Sequence, residues 1–492
     1  MTKTINQKQK ISNGVKWLIL VSDAPFLTEF LGKFAQELVK QGEDCLVVFN
    51  SKIAEYKRKQ FFPKDAKFIS KVDWCVENYN PNQKEFSNLS WKELFPIFDR
   101  YKALNFSYEN SFSMLSQAFQ FFEFIFKTEA VDVAVSEPPA DFFHLIARNF
   151  CKKGNILYLG FGSSRFKNRI DVYDQESTCS NYEKTFKELK TADLSKEEKD
   201  FAKDFTNNFI THKQLPSYMK FIKTDFSQTE IAGHYIKKAK ESYSLLRKYS
   251  KNRKRFKDFD YESETIFKNS FFSPFKMERR KFKILSDRKF FESYKKSENF
   301  FLFPLHYQSE ASTSVYATYY CDQLNTINNI AFSLPFPYKL YVKEHPAAVG
   351  MRQKDYYKKL KEIPNVVLIS PYENVQEIVK DSSGVITLTS TVGLEAALSG
   401  KLVYVLGNVF YSYHPMCRTP KNFEELKTQL ENDTAKSQNE HEQDVANLEE
   451  INIRFIISYF RNTIEGSIAA SSFGEDINNY GLIYQALKEI KK

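Results

Sequence analysis

Cysteine is scarce and scattered. The six residues, Cys45, Cys75, Cys151, Cys179, Cys321 and Cys417, form no CxxC or other metal-ligand pair. Isolated thiols in a chain of this size read as reduced, which excludes a disulfide framework and points to the cytosol. Long apolar runs are missing too. None reaches the roughly 18 residues that a transmembrane helix needs. The segment from Met1 to Asn13 is polar, without the apolar core of a signal peptide. No solenoid repeat and no nucleic-acid-binding motif is present. One Asp-x-Asp occurs, Asp258-Phe259-Asp260, but it follows no strand-like run and reads as incidental.

What is present describes a globular chain of more than one domain. Hydrophobic residues make up 42% and charged residues 27% of the sequence, which excludes a disordered chain. A length of 492 residues is too great for one ordinary core, so two domains, or two and an insertion, are expected. The net charge is +10. Much of the excess sits between Lys237 and Lys257, and more follows at Arg279, Arg280, Lys281 and Lys283. Such a patch suits an anionic lipid surface or an acidic polymer; it equally suits a solvated helix face.

Strand and helix signals alternate in two separate stretches. In the first, KWLILV (Lys16 to Val21) is an apolar run suited to a buried parallel strand, a helical pattern runs from Leu27 to Gln41, and CLVVF (Cys45 to Phe49) is a second strand. An irregular aromatic stretch extends to about Arg100. Strands at Val131 to Val135 and Ile156 to Leu159 follow, with a helix from Asp141 to Cys151 between them. The second stretch begins with a strand at Phe300 to Phe303 and a helix from Ser314 to Ser333. Strands at Tyr338 to Val342, Val366 to Ile369, Gly384 to Leu388 and Leu402 to Leu406 complete it, with helices between them. The span between the two is polar, basic and helical. The expected organisation is an N-terminal Rossmann-like domain (1–192), a basic helical insertion or connector (193–296), a C-terminal Rossmann-like domain (297–435) and C-terminal helices that pack back on the first domain (436–492).

In parallel α/β sheets ligands bind outside the carboxyl ends of the strands, which selects the loops after each strand. Lys343-Glu344-His345-Pro346 follows one strand, and its Lys and His can donate to phosphate oxygens. Thr389-Ser390-Thr391-Val392-Gly393-Leu394-Glu395 is a hydroxyl-rich turn, a glycine and the start of a helix, whose N-terminus favours an anion. Gly393 would admit a ligand close to the backbone, and Glu395 could accept from ribose hydroxyls. A plain, well-capped crossover explains the hydroxyls and Gly400, and explains the Gly393 and Glu395 pair less well. His306, Gln308 and Glu310 follow the strand at Phe300 and could face the cleft. Glu137 follows a strand of the first domain and could act as a general base, or could simply favour the next helix N-terminus. Asp23 is a second candidate base, and Arg165 could bind acidic groups.

Taken together, LHYQSEAST (Leu305 to Thr313), YVKEHP (Tyr341 to Pro346) and TSTVGLEAALSGKLVYVLG (Thr389 to Gly407) resemble the capsule polysaccharide biosynthesis protein family. Ser136 to Phe143 and Ser163 to Arg165 are similar to weaker features of it. The resemblance implies a GT-B-like α/β fold: two doubly wound Rossmann-like domains, a cleft between them and here a helical insertion. It implies transfer of a sugar from a nucleotide-sugar donor, CMP-activated in some members, to a capsule or other surface glycan or glycolipid. Lys343 and His345 would hold the donor phosphate, and Ser390, Thr391, Gly393 and Glu395 the nucleotide. No metal or other cofactor is implied, and no nucleic-acid partner. The expected place is the cytoplasm, with the 237–257 patch against the anionic inner membrane leaflet. A glycerol- or ribitol-phosphate transferase of the teichoic-acid type and a non-catalytic scaffold of a capsule assembly complex are the alternative readings.

Overall fold

The computed structural model of the 492-residue chain describes residues 14–22, 27–83, 89–100, 107–173, 180–212, 243–269, 273–286, 290–308, 310–436, 446–473 and 477–491. Among the described residues, thirteen strands build two sheets. They are β1 (Lys16–Val21), β2 (Asp44–Phe49), β3 (Lys67–Ser70), β4 (Val133–Ser136), β5 (Leu157–Ser163), β6 (Arg169–Tyr173), β7 (Phe300–Pro304), β8 (Lys339–Lys343), β9 (Val366–Ile369), β10 (Gly384–Thr387), β11 (Val403–Val405), β12 (Cys417–Arg418) and β13 (Thr463–Glu465).

The first sheet has the order β13-β6-β5-β4-β1-β2-β3. Its strands β3, β2, β1, β4 and β5 are parallel, while β6 and β13 close the edge antiparallel. The second sheet, β12-β11-β10-β7-β8-β9, is parallel throughout. Read from β9, it is the doubly wound order in which the chain starts centrally, fills one side, then crosses to the other. Ligands bind in the crevice where that direction reverses, here between β7 and β10, and in the first sheet between β1 and β4. The doubly wound α/β expectation therefore holds for both halves.

The strands form where runs are apolar on both faces. All five residues of β7 are buried, as are all but the first of β1. The helix Leu27–Lys40 buries Leu27, Phe30, Leu31, Phe34, Ala35 and Leu38, one stripe at helical spacing, against β1 and β4. Each large apolar side chain in that stripe contributes about 1.5–3 kcal/mol when fully buried.

Several expectations need correction. The stretch up to Arg100 is not irregular. It holds the helix Lys52–Arg58, the edge strand β3 and helices at Lys71–Asn78 and Trp91–Arg100. Aromatic residues crowded there mask the shorter periods. The helix expected from Ser314 to Ser333 starts only at Gln323, where the Asp322 side chain accepts from Asn325 N and caps it. The described residues of the span 193–296, expected as an insertion or connector, dock on both cores. Phe205 and Phe209 of the helix Lys196–His212 join the core that also holds the second sheet. Residues 243–269 dock on the first sheet: Asp260, buried, accepts from Lys52 N at 2.9 Å, and Asn50 donates to the Tyr261 hydroxyl at 2.9 Å. Ile284 of the helix Ser273–Leu285 joins the second-sheet core. Apolar residues spaced along one polar, basic span thus face different bodies.

Some of the basic run is turned onto its own chain. Arg253 pairs with Glu264 through two nitrogens, Arg255 faces Glu77 at 3.4 Å, and Lys248 lies over the Tyr56 ring. Lys237, Lys238 and Lys240 lie outside the described residues. Among the described residues no helix is long and apolar enough to cross a membrane.

The tail crosses back to the first sheet, to which it adds β13, and the helix Tyr480–Lys491 packs on Leu27–Lys40. Tyr459, on the helix Leu448–Arg461, is the fastening. Its hydroxyl donates to Asp171 at 3.0 Å and accepts from Arg165 N at 3.0 Å and from Ser164 at 3.2 Å. Burial pushes the Asp171 carboxyl up to about 6, although the Ser164 and Tyr459 hydroxyls pull the other way. Replacing Tyr459→Phe removes one oxygen that serves three partners. Unfolding free energy in urea should fall by about 1–3 kcal/mol; an unchanged midpoint would show that the tail is held by apolar packing alone.

Candidate functional site

Side-chain hydrogen bonds bridge each sheet's switch point. In the first sheet the loops after β1 and β4 meet where the Ser22 hydroxyl donates to Glu137 Oε1 at 2.6 Å. In the second sheet the loops after β7 and β10 meet where Thr389 N donates to His306 Nε2 at 3.0 Å. The candidate residues His306 and Glu137 are thus placed at the two reversal points. Asp23 lies outside the described residues.

His306 is fixed from every side. Its backbone N and O bond to the Gln323 side chain, and its carbonyl also accepts from Arg352 at 2.6 Å. Burial, with the Arg352 and His345 charges, pushes its pKa down to about 3, so the ring is neutral. Because Nε2 accepts from Thr389, the proton belongs on Nδ1, which is buried and has no hydrogen-bond partner among the described residues. Gln308 is half-buried and donates to the Cys321 carbonyl, which holds the start of the loop. Glu310 is exposed, and its backbone oxygen accepts from Thr313 and Ser314, so it opens the short turn of helix after β7.

The loop after β8 is organised by a residue that its motif does not advertise. Glu344 is fully buried. Its carboxylate accepts from Arg352 at 2.7 and 2.9 Å, from the Tyr357 hydroxyl at 2.6 Å and from His345 N at 2.7 Å. Arg352 reaches on to the His306 carbonyl, so one guanidinium couples the β7 and β8 loops. Lys343 is buried and donates to the Pro371 carbonyl at 2.6 Å, which ties the β8 loop to the β9 loop. His345 is left exposed, with the Tyr307 ring edge-on to it.

After β10, Ser390 caps the helix Thr391–Leu398 by accepting from Val392 N, and its own N donates to Thr387. Ser390 and Thr391 remain partly exposed at the helix N-terminus. The expected reason for Gly393 needs correction. A Cβ there would collide with the Tyr411 hydroxyl, which donates to the Ser390 carbonyl. The close approach to the backbone is made by this chain's own tyrosine. Glu395 is buried on the second turn.

Behind Glu137 stands a further residue absent from the sequence-based candidates. His144 is fully buried, with Nδ1 2.9 Å from Asp141 and Nε2 3.9 Å from Glu137. Burial opposes a charge on this ring, but Asp141, then Glu137 and Glu262, outweigh it and raise the pKa above 6.5. Asp141 also caps the helix Phe142–Lys153. The Asp141-x-x-His144 spacing at a helix start is the available signal. Pro138 lies tight on β5, where a Cβ at Gly160 would meet it at 2.7 Å. Arg165, part-buried after β5, sits near enough to Tyr411 of the second domain to lower that hydroxyl's pKa against the larger effect of burial.

Among known proteins, residues 246–443 match the family model of the capsule polysaccharide biosynthesis protein. The matched segment contains the loops after β7, β8 and β10, so the resemblance drawn from the sequence holds where the motifs lie. No curated protein matches the chain. Solved structures that align include the Thermosulfurimonas dismutans KpsC, a beta Kdo 2,4 transferase, with 14% identity over 66% of this chain and 79% of that one, at a TM-score of 0.34. A glycosyltransferase from Rickettsia africae aligns with 10% identity over 98% of both chains, at a TM-score of 0.28.

Two outcomes test the site's internal electrostatics. Arg352→Ala leaves a buried carboxylate unpaired and should cost about 3–5 kcal/mol in chemical denaturation. A loss near zero would mean that Glu344 relaxes into water. For His144, a raised folded pKa means that its contribution to stability is full below 6.5 and is lost as pH rises through the folded value. Stability measured from pH 5 to 9 should therefore fall less steeply in His144→Gln than in the wild type over that window. Parallel curves would show a neutral imidazole.

Proposed function

We propose that the chain is a glycosyltransferase of capsule or related surface-glycan synthesis, which moves a sugar from a nucleotide donor to a glycan or glycolipid acceptor. The observation that carries this reading is the pair of bridged switch points, one in the capsule-family segment and one at Glu137.

On this reading the second domain holds the donor. Its phosphate meets the helix N-terminus at Ser390 and Thr391 and the exposed His345, with the Lys343 charge behind them. Neutral His306 holds the Thr389 amide in place. Glu395 is the candidate contact to the nucleoside. These groups would stabilise the negative charge that develops on the leaving phosphate. No metal and no other cofactor is assigned a role.

The first domain supplies the base. Glu137 takes the proton of the acceptor hydroxyl as that oxygen attacks the sugar's anomeric carbon and the bond to the nucleotide phosphate breaks. Ser22 and His144 hold the Glu137 carboxylate in position. Arg165, Gln308 and Glu310 are the candidate contacts to the transferred sugar or the acceptor. The exposed Lys251, Lys254 and Lys257 are left to face an anionic membrane surface, where lipid-linked acceptors would lie.

A thermal-shift screen with CMP, CDP, UDP and GDP tests the donor site through linkage. One nucleotide should raise the melting temperature, and Ser390→Ala with His345→Ala should abolish the rise. Flat traces for all four would remove the donor assignment. With a productive donor, Glu137→Gln should lower turnover by about 10²–10⁴-fold without changing the nucleotide shift. Near-native turnover in that variant would move the base elsewhere.

A further inference from the structure

Facing the second domain across the cleft is an arginine with no role in donor binding or proton transfer. Arg148 is half-buried on the helix Phe142–Lys153, and no hydrogen bond or ion pair engages it among the described residues. It lines a cavity of about 250 Å³ with Lys92 from the helix Trp91–Arg100 and, from the second domain, Ser314, Tyr316, Thr318 and Asn408. A half-buried guanidinium without a direct ion-pair partner is stabilised by an anion that reaches it.

The polar groups of this cavity sort clearly. The carboxylate of Glu93 also borders it, but Glu93 is committed to its own helix start: it accepts from Ser90 N at 2.8 Å and the Ser90 hydroxyl at 2.6 Å, and from Asn149 at 3.4 Å. The Ser314 and Thr318 hydroxyls donate to the Glu310 and Ser314 carbonyls. The donors left to face a guest are the Arg148 fork, the Lys92 ammonium and the Asn408 amide. Lys92 stands over the Tyr319 ring, which positions the ammonium without neutralising it. With Glu93 counted, the two cations still leave the cavity net positive, which favours an anion, and the planar guanidinium suits a carboxylate or a phosphate.

The cavity also neighbours the base. His144 and Arg148 are four residues apart on one helix, hence on one face and about 6 Å apart. Tyr316 is close enough to Tyr158 to raise its hydroxyl pKa, after the larger effects of burial and Glu137, and that hydroxyl donates to the Glu137 carbonyl. We infer that this cavity is an anion subsite that holds a carboxylate or phosphate group of the acceptor beside Glu137. Its assignment to the acceptor rests on the glycosyl-transfer reading; the anion subsite itself does not. Because its walls come from both domains, an anion there also draws the halves together.

Calorimetric titration with sodium glucuronate and with inorganic phosphate separates the two sources of negative charge. The wild type should bind at least one of them. Arg148→Gln should weaken that binding at least tenfold, and Arg148→Lys should keep some of it, since the charge remains and the fork is lost. The nucleotide thermal shift should be unchanged in both variants. Failure of the wild type to bind either anion would overturn the subsite, as would full binding by Arg148→Gln. Loss of the nucleotide shift in both folded variants would overturn it too, by placing Arg148 in the donor site. Anion binding that depends on Arg148 in a protein that binds no nucleotide would uphold the subsite and sink the transfer reading.

Discussion

A parallel sheet that is wound in two directions must separate a pair of neighbouring loops at the point of reversal, and everything that the two domains can do depends on how that gap is managed. Backbone pairing cannot manage it, because β1 and β4, like β7 and β10, send their chains to opposite faces. Side-chain bonds span each gap instead, among them Ser22 to Glu137 in one sheet and, in the other, Thr389 to His306 and to the Ser312 carbonyl. The polar atoms at both reversals are therefore positioned by buried networks and not by loop conformation alone. Glu344 extends the same device, since its partner Arg352 also grips the His306 carbonyl. A buried ion pair of this kind adds little net stability against an apolar substitute, but it defines one arrangement of the loops.

The helix Thr391–Leu398 shows how fully such a site is built from the chain's own groups. Ser390 caps it, Thr387 holds Ser390, and Tyr411 closes on the Ser390 carbonyl through the space that Gly393 leaves. Burial holds the Tyr411 hydroxyl well above its ordinary pKa, so it remains a donor. What stays partly exposed is the helix N-terminus itself, at Ser390 and Thr391. The glycine packed tightly behind this partly exposed helix start makes it rigid.

The legible and illegible regions of this molecule divide along a physical line. β1, β2, β7, β8 and β10 can be read because parallel strands buried on both faces leave continuous apolar runs. The loops after them can be read because topology puts ligands there. β12 and β13, with two and three residues, have no period to detect; they exist because β11 and β6 offer unpaired edges. Gly393 is conspicuous in the sequence, but its neighbour is not, since Tyr411 lies eighteen positions on and no local pattern links the two. Glu344 is inconspicuous inside a recognisable motif because motif logic selects groups that meet a ligand. Its work is to hold Arg352, and a buried anchor looks like any other acidic loop residue in a sequence. His144 is hidden in the same way, although its spacing from Asp141 places both at one end of one helix.

The position of the helix Leu448–Arg461 limits how the cleft can move. Asn452 bonds to the Leu398 carbonyl and to His414 in the second domain, and Ser458 meets Tyr413 there. One residue beyond Ser458, Tyr459 fastens to Asp171, Ser164 and Arg165 in the first. Within two helical turns the same element is tied to both halves. Separation of the domains along that side would expose Asp171, whose carboxyl is satisfied chiefly by the Tyr459 and Ser164 hydroxyls. The joint between the two halves on that side is thus a set of buried polar contacts made by one helix.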